Sequence, residues 1–348
     1  MKVWDAVVIG AGPGGCAAAY DLAAAGRDIL LIDRAEFPRQ KACAGGITLT
    51  AIRSLRYSVR PIIERAFRDV RLELHLHRGR IVRKRTDHCF MTVRETFDHY
   101  CFTKTLERGA QFRRIRMLES VRQSANVVEI QLDGEALYTR FVIGADGVHS
   151  RVRTLTEPPN GWFWRGFALE ARIPCNTVER YELTFDLSPI RKGYGWVFPK
   201  GDHLNVGLYS YAKDEKIDRE RLGRYIKSRN FQSVPMQVVG QYTGFGASRH
   251  IVGNTRVFLV GDAGGFVNPF TGEGISQAIR SGQAAAAAID MDLKGLGPAN
   301  LWFRDNSKRL RRDLAVASMV GHWFYGNLKW GYLCFSTPGV SGSIAKFE

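Results

Sequence analysis

Three glycine-rich segments, far apart in the chain, constrain its fold more than any other feature. They are Gly-Ala-Gly-Pro-Gly-Gly at Gly10–Gly15, Asp-Gly-Val-His-Ser-Arg-Val-Arg at Asp146–Arg153, and Gly-Asp-Ala-Gly-Gly-Phe-Val-Asn-Pro-Phe-Thr-Gly-Glu-Gly at Gly261–Gly274. Each segment alone is a weak signal. In this order, they predict that separate stretches of one chain wrap around a single extended ligand, so the domain that holds it must be discontinuous in sequence.

The first segment has the setting of a dinucleotide-binding turn. The apolar run Val7–Ile9 predicts a buried parallel strand, and the alanine-rich stretch Cys16–Ala25 predicts a helix. Glycines between them permit a tight turn, close approach of a pyrophosphate and close packing of helix on strand. The helix N-terminus then favours phosphate groups. The predicted cofactor-binding residues of this turn are Gly10, Gly12, Pro13, Gly14 and Gly15.

A second strand brings an acidic side chain to the same turn. The predicted strand Asp28–Ile32 is followed by Asp33, at the spacing where a carboxylate accepts hydrogen bonds from an adenosine ribose. Arg34 comes next and joins the predicted cofactor contacts. These elements predict a dinucleotide site without deciding which dinucleotide occupies it.

The three segments together resemble the motifs of the flavoprotein group typified by para-hydroxybenzoate hydroxylase. The second and third segments follow short apolar runs, Phe141–Ile143 and Val257–Val260, which predict two more strands. The resemblance implies that the cofactor is FAD. It places Asp262 on the ribityl chain and the amides of residues 272–274 where they stabilise negative charge on reduced flavin.

The same resemblance implies further cofactor contacts. Arg94 opens a predicted helix, Arg94–Arg108, and matches an arginine that contacts the cofactor in many relatives. The motif that begins at Asp146 divides its role in the group between binding the cofactor and holding the fold. The cofactor-binding residues implied in this way are Arg94, Asp146, Gly261, Asp262, Gly272, Gly274 and Ile275.

The implied fold class is α/β. It comprises a Rossmann-like FAD-binding domain of the glutathione reductase-2 or para-hydroxybenzoate hydroxylase type, an inserted antiparallel-sheet substrate domain and a short helical C-terminus. Runs such as Arg180–Leu187 and His203–Tyr209 predict strands in the insertion. We expect the FAD-binding domain at residues 1–69, 94–157 and 249–295, the substrate domain at 70–93 and 158–248, and the C-terminal helical segment at 296–348.

Two other segments narrow the chemistry. Tyr194–Pro199 and Cys43–Gly46 resemble the Tyr-x-Trp-x-Phe-Pro and Cys-x-Gly-Gly patterns of the geranylgeranyl reductase family, and the likeness extends to about residue 290. The resemblance implies a reductase that saturates isoprenoid double bonds by hydride transfer from flavin N5. Such transfer needs the alkene within about 3.5 Å of N5 in a dry slot. The residues expected to line this slot are Tyr194, Trp196, Phe198, Pro199, Phe266 and Phe270.

The predicted catalytic residues are Cys43, Tyr194 and Trp196. Cys43 lies in a loop that, by resemblance, approaches the flavin, so Ala44 and Gly45 join it as cofactor contacts. A free thiol is mostly protonated at neutral pH, so Cys43 either supplies the second hydrogen or only lines the slot. Tyr194 is the other candidate proton donor, and Trp196 walls the slot.

Two competing functions stay open. An aromatic hydroxylase or halogenase uses the same fold, although Trp162–Arg165 does not complete the Trp-x-Trp-x-Ile-Pro pattern of halogenases. A flavin-containing membrane-associated protein without its own catalysis is the second. The electron donor is equally open between NADPH, bound transiently, and a reduced ferredoxin or similar acidic carrier.

The formal net charge of +16 bears on partners and location. A basic surface is either simply solvated or attracts anionic membrane lipids or phosphorylated substrates. The aromatic stretch Met319–Phe335, beside the basic helix Leu301–Asp313, either completes the core or lies on a membrane interface. No DNA-reading motif is recognisable, so nucleic acid is not an expected partner. We expect a cytoplasmic protein, peripheral on the inner face of the membrane, because no secretion signal opens the chain and its six cysteines lack the spacing of a disulfide framework or a metal site.

Overall fold

The computed structural model describes residues 2–74, 78–157, 161–231, 237–250 and 255–336. Within them the strands are β1 (Val3–Ile9), β2 (Ile29–Asp33), β3 (Gly46–Thr48), β4 (Arg65–Phe67), β5 (Asp69–Leu74), β6 (Arg78–Arg83), β7 (Cys89–Met91), β8 (Gln111–Arg114), β9 (Leu118–Gln123), β10 (Val128–Leu132), β11 (Glu135–Gly144), β12 (Trp164–Pro174), β13 (Thr184–Asp186), β14 (Gly193–Pro199), β15 (His203–Ser210), β16 (Gln237–Phe245) and β17 (Val257–Leu259). The helices are α1 (Pro13–Ala24), α2 (Leu49–Ser54), α3 (Arg94–Glu107), α4 (Arg151–Thr156), α5 (Arg219–Ser228), α6 (Ile275–Leu293), α7 (Ala299–Gly326) and α8 (Leu328–Ser336), with 3-10 turns at Arg60–Ile62, Val178–Arg180 and Gly261–Gly264.

The first sheet brings the three glycine-rich segments together. Its order is β8-β2-β1-β11-β10-β9, and β17 pairs with β11. β8, β2, β1, β11 and β17 are parallel, so the turns after β1, β11 and β17 emerge at one edge. Val8, Ile143 and Ile279 are buried in one core, where α6 packs on this sheet. The expected discontinuous assembly is therefore present.

The second sheet is largely antiparallel and has the order β16-β12-β15-β14-β13-β5-β6. Only β13 and β5 pair in parallel within it. A small third sheet, β3-β7-β4, joins residues 46–48, 65–67 and 89–91 and lies outside the pattern that the sequence predicts. The mixed α/β architecture with an antiparallel insertion confirms the predicted fold class.

One predicted strand is wrong in its first half. Val178–Arg180 forms a 3-10 turn, and β13 covers only Thr184–Asp186 of the predicted run Arg180–Leu187. These three residues alone find partners on both β14 and β5, and pairing with neighbours decides the extent of a strand. At the other elements the ends differ by a few residues. For example, α1 begins at Pro13 because proline is preorganised for a first helical turn.

The C-terminal part of the described chain is helical, as predicted. Phe303, Leu310 and Leu314 of α7 pack into the core beside α6, and α8 follows at Leu328. No helix among the described residues is long and apolar enough to cross a membrane. Residues 337–348 of the predicted helical segment lie outside the described residues.

Candidate functional site

A cavity of about 460 Å³ connects the flavin motifs with the second sheet. Its polar lining includes Lys41, Arg94, Asp262 and Gln277. Its apolar lining comes from β5, β13, β14 and one side of α7. The apolar residues include Leu72, Leu187, Val316, Val320 and Phe324. One continuous space therefore joins a polar region beside the glycine turn to an apolar chamber.

The glycines of the first turn have two different roles. A Cβ at Gly15 would overlap the carbonyl of Gly10, and a Cβ at Gly14 would come within 2.9 Å of the Ala278 carbonyl. These two positions are needed for packing against the turn itself and against α6. A Cβ at Gly12 would meet only Arg39, at 3.6 Å. The protein leaves open space above Gly12, where a pyrophosphate would need to approach.

Asp33 lies beside this turn at the end of β2. Its carboxylate accepts a hydrogen bond from the Ala11 amide at 2.7 Å and one from the Ala35 amide at 2.8 Å. The neighbouring N-terminus of α1 has no side-chain cap, so its free amides can receive a phosphate. Arg34 is exposed, and its carbonyl accepts a hydrogen bond from Arg114.

The side chain of Asp146 has the fold-holding part of its expected role, and its contact with the cofactor stays a prediction. It accepts hydrogen bonds from the Ser150 hydroxyl and from the amides of Arg151 and Val152, at 2.6, 2.6 and 3.1 Å. It therefore caps the N-terminus of α4, and it is not among the residues that line the cavity. Arg153 donates to the Ala263 carbonyl at 2.7 Å and so ties the second glycine-rich segment to the third.

The third segment places Asp262 in the cavity wall. Burial raises the pKa of this carboxyl group, against the opposing effects of Lys41, a hydrogen bond from the Gly244 amide and Arg94. Asp262 accepts the Gly244 hydrogen bond at 3.2 Å. The buried ammonium of Lys41 has its pKa lowered by desolvation and by Arg94, with Asp262 opposing that change.

The amide of Gly272 does not face the cavity as a free donor, which corrects an expectation. It donates to the Asn268 carbonyl at 2.8 Å and closes the loop before α6. The Ser276 amide, in the first turn of α6, donates to the Glu273 carboxylate at 2.7 Å. Gly274 and Ile275 do line the cavity. Of the amides at residues 272–274 that the resemblance implies as donors to the flavin, that of Gly272 is therefore already engaged within the loop.

Two buried polar atoms in the cavity wall lack a hydrogen-bond partner that a bound ligand could supply. Thr243 Oγ1 and Gln277 Oε1 have no hydrogen-bond partner among the described residues. Buried polar groups are normally satisfied, so such atoms indicate a missing partner. With the open space above Gly12 and the ionisable side chains of Lys41 and Asp262 in the same wall, these residues fit an extended polar cofactor such as FAD.

Cys43 lies on a loop held by three kinds of contact. Its amide donates to the Glu170 carboxylate at 2.9 Å, and its Sγ accepts from the Gly45 amide at 3.4 Å. Arg94 contacts Cys43 and pairs with Asp98 at 2.8 Å. Burial lowers the pKa of Arg94, but the nearby Asp98 and Cys43 raise it by more, so the net change in the Arg94 pKa is an increase. Cys43, Ala44 and Gly45 all line the cavity.

The aromatic residues of β14 line the cavity on one side, as strand alternation predicts. The ring centroids of Tyr194 and Trp196, and those of Trp196 and Phe198, are 6.2 Å apart. The Tyr194 hydroxyl donates to the Thr271 carbonyl, so its proton points to the flavin-motif loop. Burial raises the pKa of Tyr194. Both facts argue against Tyr194 as the proton donor.

Of the other expected slot residues, only Phe270 lines the cavity. Pro199 is buried at the end of β14, where it pairs with Leu204. Phe266 is buried beside Phe245, to which it forms an isolated bridge. Aromatic spacing alone does not distinguish a residue that faces a cavity from one that packs beneath it.

Several residues of the site were not identified from the sequence. Lys41 had a signal, because it lies two residues before Cys43 in the same loop. Glu170 and Thr243 have none, because nothing in the sequence distinguishes them from the other polar residues of their strands. The cavity-lining residues missed in this way are Lys41, Glu170, Thr243 and Gln277.

Known proteins similar to this chain include FAD-binding proteins and several reductases. Residues 4–159 match a family model described as an FAD binding domain. The chain is 30% identical over 326 residues to digeranylgeranylglycerophospholipid reductase 1 of Methanopyrus kandleri, covering 83% of this chain and 82% of that protein. It is 31% identical over 320 residues to a geranylgeranyl diphosphate reductase of Rhodobacter capsulatus (86% and 78%). A menaquinone reductase of Mycobacterium tuberculosis is 29% identical over 339 residues (90% and 82%).

A solved structure agrees in fold over the full length. It is a geranylgeranyl bacteriochlorophyll reductase-like protein from Thermoplasma acidophilum, with a TM-score of 0.78, 21% identity and complete coverage of both chains. At that identity the likeness concerns the fold alone. The match supports the two-sheet arrangement around the cavity.

Proposed function

Because the chain belongs to the geranylgeranyl reductase family of FAD-dependent oxidoreductases, we propose that it saturates carbon–carbon double bonds of an isoprenoid chain. One observation carries the proposal. A single cavity joins the flavin-motif residue Asp262, the thiol loop of Cys43 and an apolar chamber. An alkene chain entering through the apolar chamber would meet Cys43 where the chamber adjoins the polar region.

The residues of this chain divide the work of binding. In this proposal the open space above Gly12 takes the pyrophosphate, Asp33 binds a ribose, and Asp262 with Lys41 binds the ribityl chain and flavin. When bound, reduced FAD supplies a hydride from N5. Cys43 supplies the proton that completes the addition, because its thiol lies in the cavity wall beside the polar region.

The apolar chamber supports a long hydrocarbon substrate. Leu72, Leu187, Val320 and Phe324 would pack along such a chain and exclude water from it. The relatives are named for geranylgeranyl lipids, geranylgeranyl diphosphate and menaquinone, all of which carry isoprenoid chains. The chamber therefore fits the chain that these molecules share rather than one particular headgroup.

An anaerobic single-turnover experiment tests the proposal. The bound FAD is reduced, geranylgeranyl diphosphate is added, and flavin reoxidation is followed together with product mass. We expect reoxidation coupled to products heavier by pairs of hydrogens. Reduced flavin that persists, and then reacts rapidly with oxygen only when an aromatic compound is present, would instead identify a hydroxylase. NADPH and a reduced ferredoxin are compared as reductants in the first step, since the basic surface suits an acidic carrier.

We also propose that the C-terminal helices dock on an anionic membrane. Met319 and Trp330 are 72% and 68% exposed, and Trp323 and Leu333 are also exposed large apolar residues. On another side of α7, Val320 lines the cavity. An apolar outer surface on helices that cover the chamber, in a protein of net charge +16, suits a peripheral position from which a lipid chain can enter.

Vesicle sedimentation checks this docking. At low salt we expect the protein to sediment with anionic liposomes. We expect the double variant Trp323→Ser, Trp330→Ser to bind the liposomes at least about fivefold more weakly, because interfacial aromatic side chains supply part of the binding energy. Met117→Ser, which removes an exposed apolar residue outside these helices, is the matched control. Wild-type protein that stays in the supernatant at low salt contradicts the proposal.

A further inference from the structure

A lysine is buried behind the Cys43 loop and has no part in the function described so far. Lys200 follows β14 and is only 2% exposed. Its ammonium donates a hydrogen bond to the Thr92 carbonyl. The Thr92 amide in turn donates to the Gly45 carbonyl at 3.0 Å, so Lys200 is attached to the Cys43 loop through one residue.

Gly45 leaves the space that Lys200 needs. A Cβ at Gly45 would collide with Lys200 Nζ and with the Thr92 carbonyl, and the φ of Gly45 is 67°. The amide of the same glycine donates to Cys43 Sγ at 3.4 Å. The ammonium and the thiol therefore lie against the same residue of one loop.

A buried carboxylate completes the arrangement. Glu170 lies on β12 and is 6% exposed. Its carboxylate accepts a hydrogen bond from the Cys43 amide and forms another with the Asn205 side chain. Asn205 also accepts a hydrogen bond from the indole of Trp196 at 2.7 Å. One polar network thus connects the loop of Cys43 to the aromatic wall of the slot.

We infer that Lys200 is a positioning residue that stabilises the thiolate form of Cys43, while Glu170 holds the loop in place. The inference rests on the proposed function, in which Cys43 gives up a proton. Loss of that proton leaves a negative sulfur in a partly buried site, and a nearby cation offsets the cost of that charge. Lys200 contributes through Cys43 and not by touching the substrate, because it is not among the cavity-lining residues.

Lys200 titrates in a range that suits this role. Burial lowers its pKa to about 8, with Cys43, Glu170 and Glu64 opposing the decrease. The ammonium is therefore mostly charged at neutral pH and loses its proton as the pH rises through about 8. The charged or titratable groups next to Cys43 include Lys200, Arg94, Tyr194 and Glu170, and those next to Lys200 are Cys43, Glu170, Glu64 and Arg172.

The test measures the thiol directly and needs no substrate. FAD-loaded protein is alkylated with iodoacetamide, and modification of the Cys43 peptide is followed by mass spectrometry across the neutral and mildly alkaline range. For Lys200→Met we expect about tenfold slower alkylation at neutral pH and a profile displaced to higher pH by about one unit. Lys213→Met removes the same charge from an exposed turn and is expected to leave the profile unchanged.

A second variant separates electrostatics from loop structure. Glu170→Gln removes a negative charge but keeps an acceptor for the Cys43 amide. Because Glu170 also raises the pKa of Lys200, we expect faster alkylation of Cys43 only at the lowest pH of the series, where Lys200 keeps its proton in the variant. Slowing in both variants, no change in Lys200→Met, or an unreactive Cys43 in the wild type would overturn the inference. Failure of the isoprenoid test with the expected alkylation pattern would overturn only the proposed substrate.

Discussion

Replacing Gly12 with valine is expected to weaken FAD binding about 100-fold or more, a loss of about 2.7 kcal/mol, while the protein keeps its fold. The backbone at Gly12 has φ −79° and ψ −176°, an extended conformation that any residue adopts. Apart from the two chain neighbours, the nearest described atom to an added Cβ there belongs to Arg39, at 3.6 Å. The new side chain would occupy the volume that the pyrophosphate requires, so the loss falls on the cofactor.

The measurement is titration of apoprotein with FAD, accompanied by thermal unfolding of the apoprotein. Gly12→Ala is expected to give an intermediate affinity. Gly15→Ala serves as the contrast, because its Cβ would overlap the Gly10 carbonyl and lower the unfolding temperature of the apoprotein itself. Gly223→Ala, a position on α5 with open space around it, is the neutral control. Stoichiometric FAD in Gly12→Val would show that the pyrophosphate does not cross this glycine.

Cys43→Ser is expected to slow single-turnover reduction of the alkene by about 100-fold, within the range that general acids contribute. A serine hydroxyl fits the site of the thiol but releases its proton far less readily. The Cys43 amide still donates to the Glu170 carboxylate after the substitution, and a serine Oγ can replace Sγ as the acceptor of the Gly45 amide. FAD content is therefore expected to stay at the wild-type value.

The rate is read from anaerobic flavin reoxidation after addition of geranylgeranyl diphosphate, with bound FAD quantified by absorbance. Cys175→Ser is the matched control. Cys175 directly follows β12 of the second sheet and is half-buried, with its Sγ 3.8 Å from the Thr177 hydroxyl. It does not line the cavity. A Cys43→Ser rate within about twofold of wild type would exclude the proton-donor role and leave Cys43 as part of the slot wall.

Local signals were sufficient for the glycine turn. Strand, glycines, helix and Asp33 lie within one short stretch of chain, and steric requirements determine which residue types that stretch accepts. The same holds for the aromatic run of β14, because alternation along a strand places Tyr194, Trp196 and Phe198 on one side whatever the strand packs against.

Residues whose roles depend on distant partners could not be assigned in the same way. Asp146 matches a cofactor motif, yet its carboxylate is taken by the amides of the helix it caps. Gly272 matches another, yet its amide is bound by Asn268. A motif specifies residue types, but the hydrogen-bond partners that compete for them are set by the surrounding backbone.

The sequence by itself determined the cofactor turn and the two family segments, because each depends on residues close together in the chain. The order of the three glycine-rich segments along the chain indicated the α/β fold class. Only the tertiary structure decided that Lys41, Glu170 and Gln277 share one cavity, that Lys200 lies behind Cys43, and that Pro199 and Phe266 pack away from the slot. These residues come from different sheets, loops and helices. Their proximity follows from how those elements pack, and no local pattern in the chain records it.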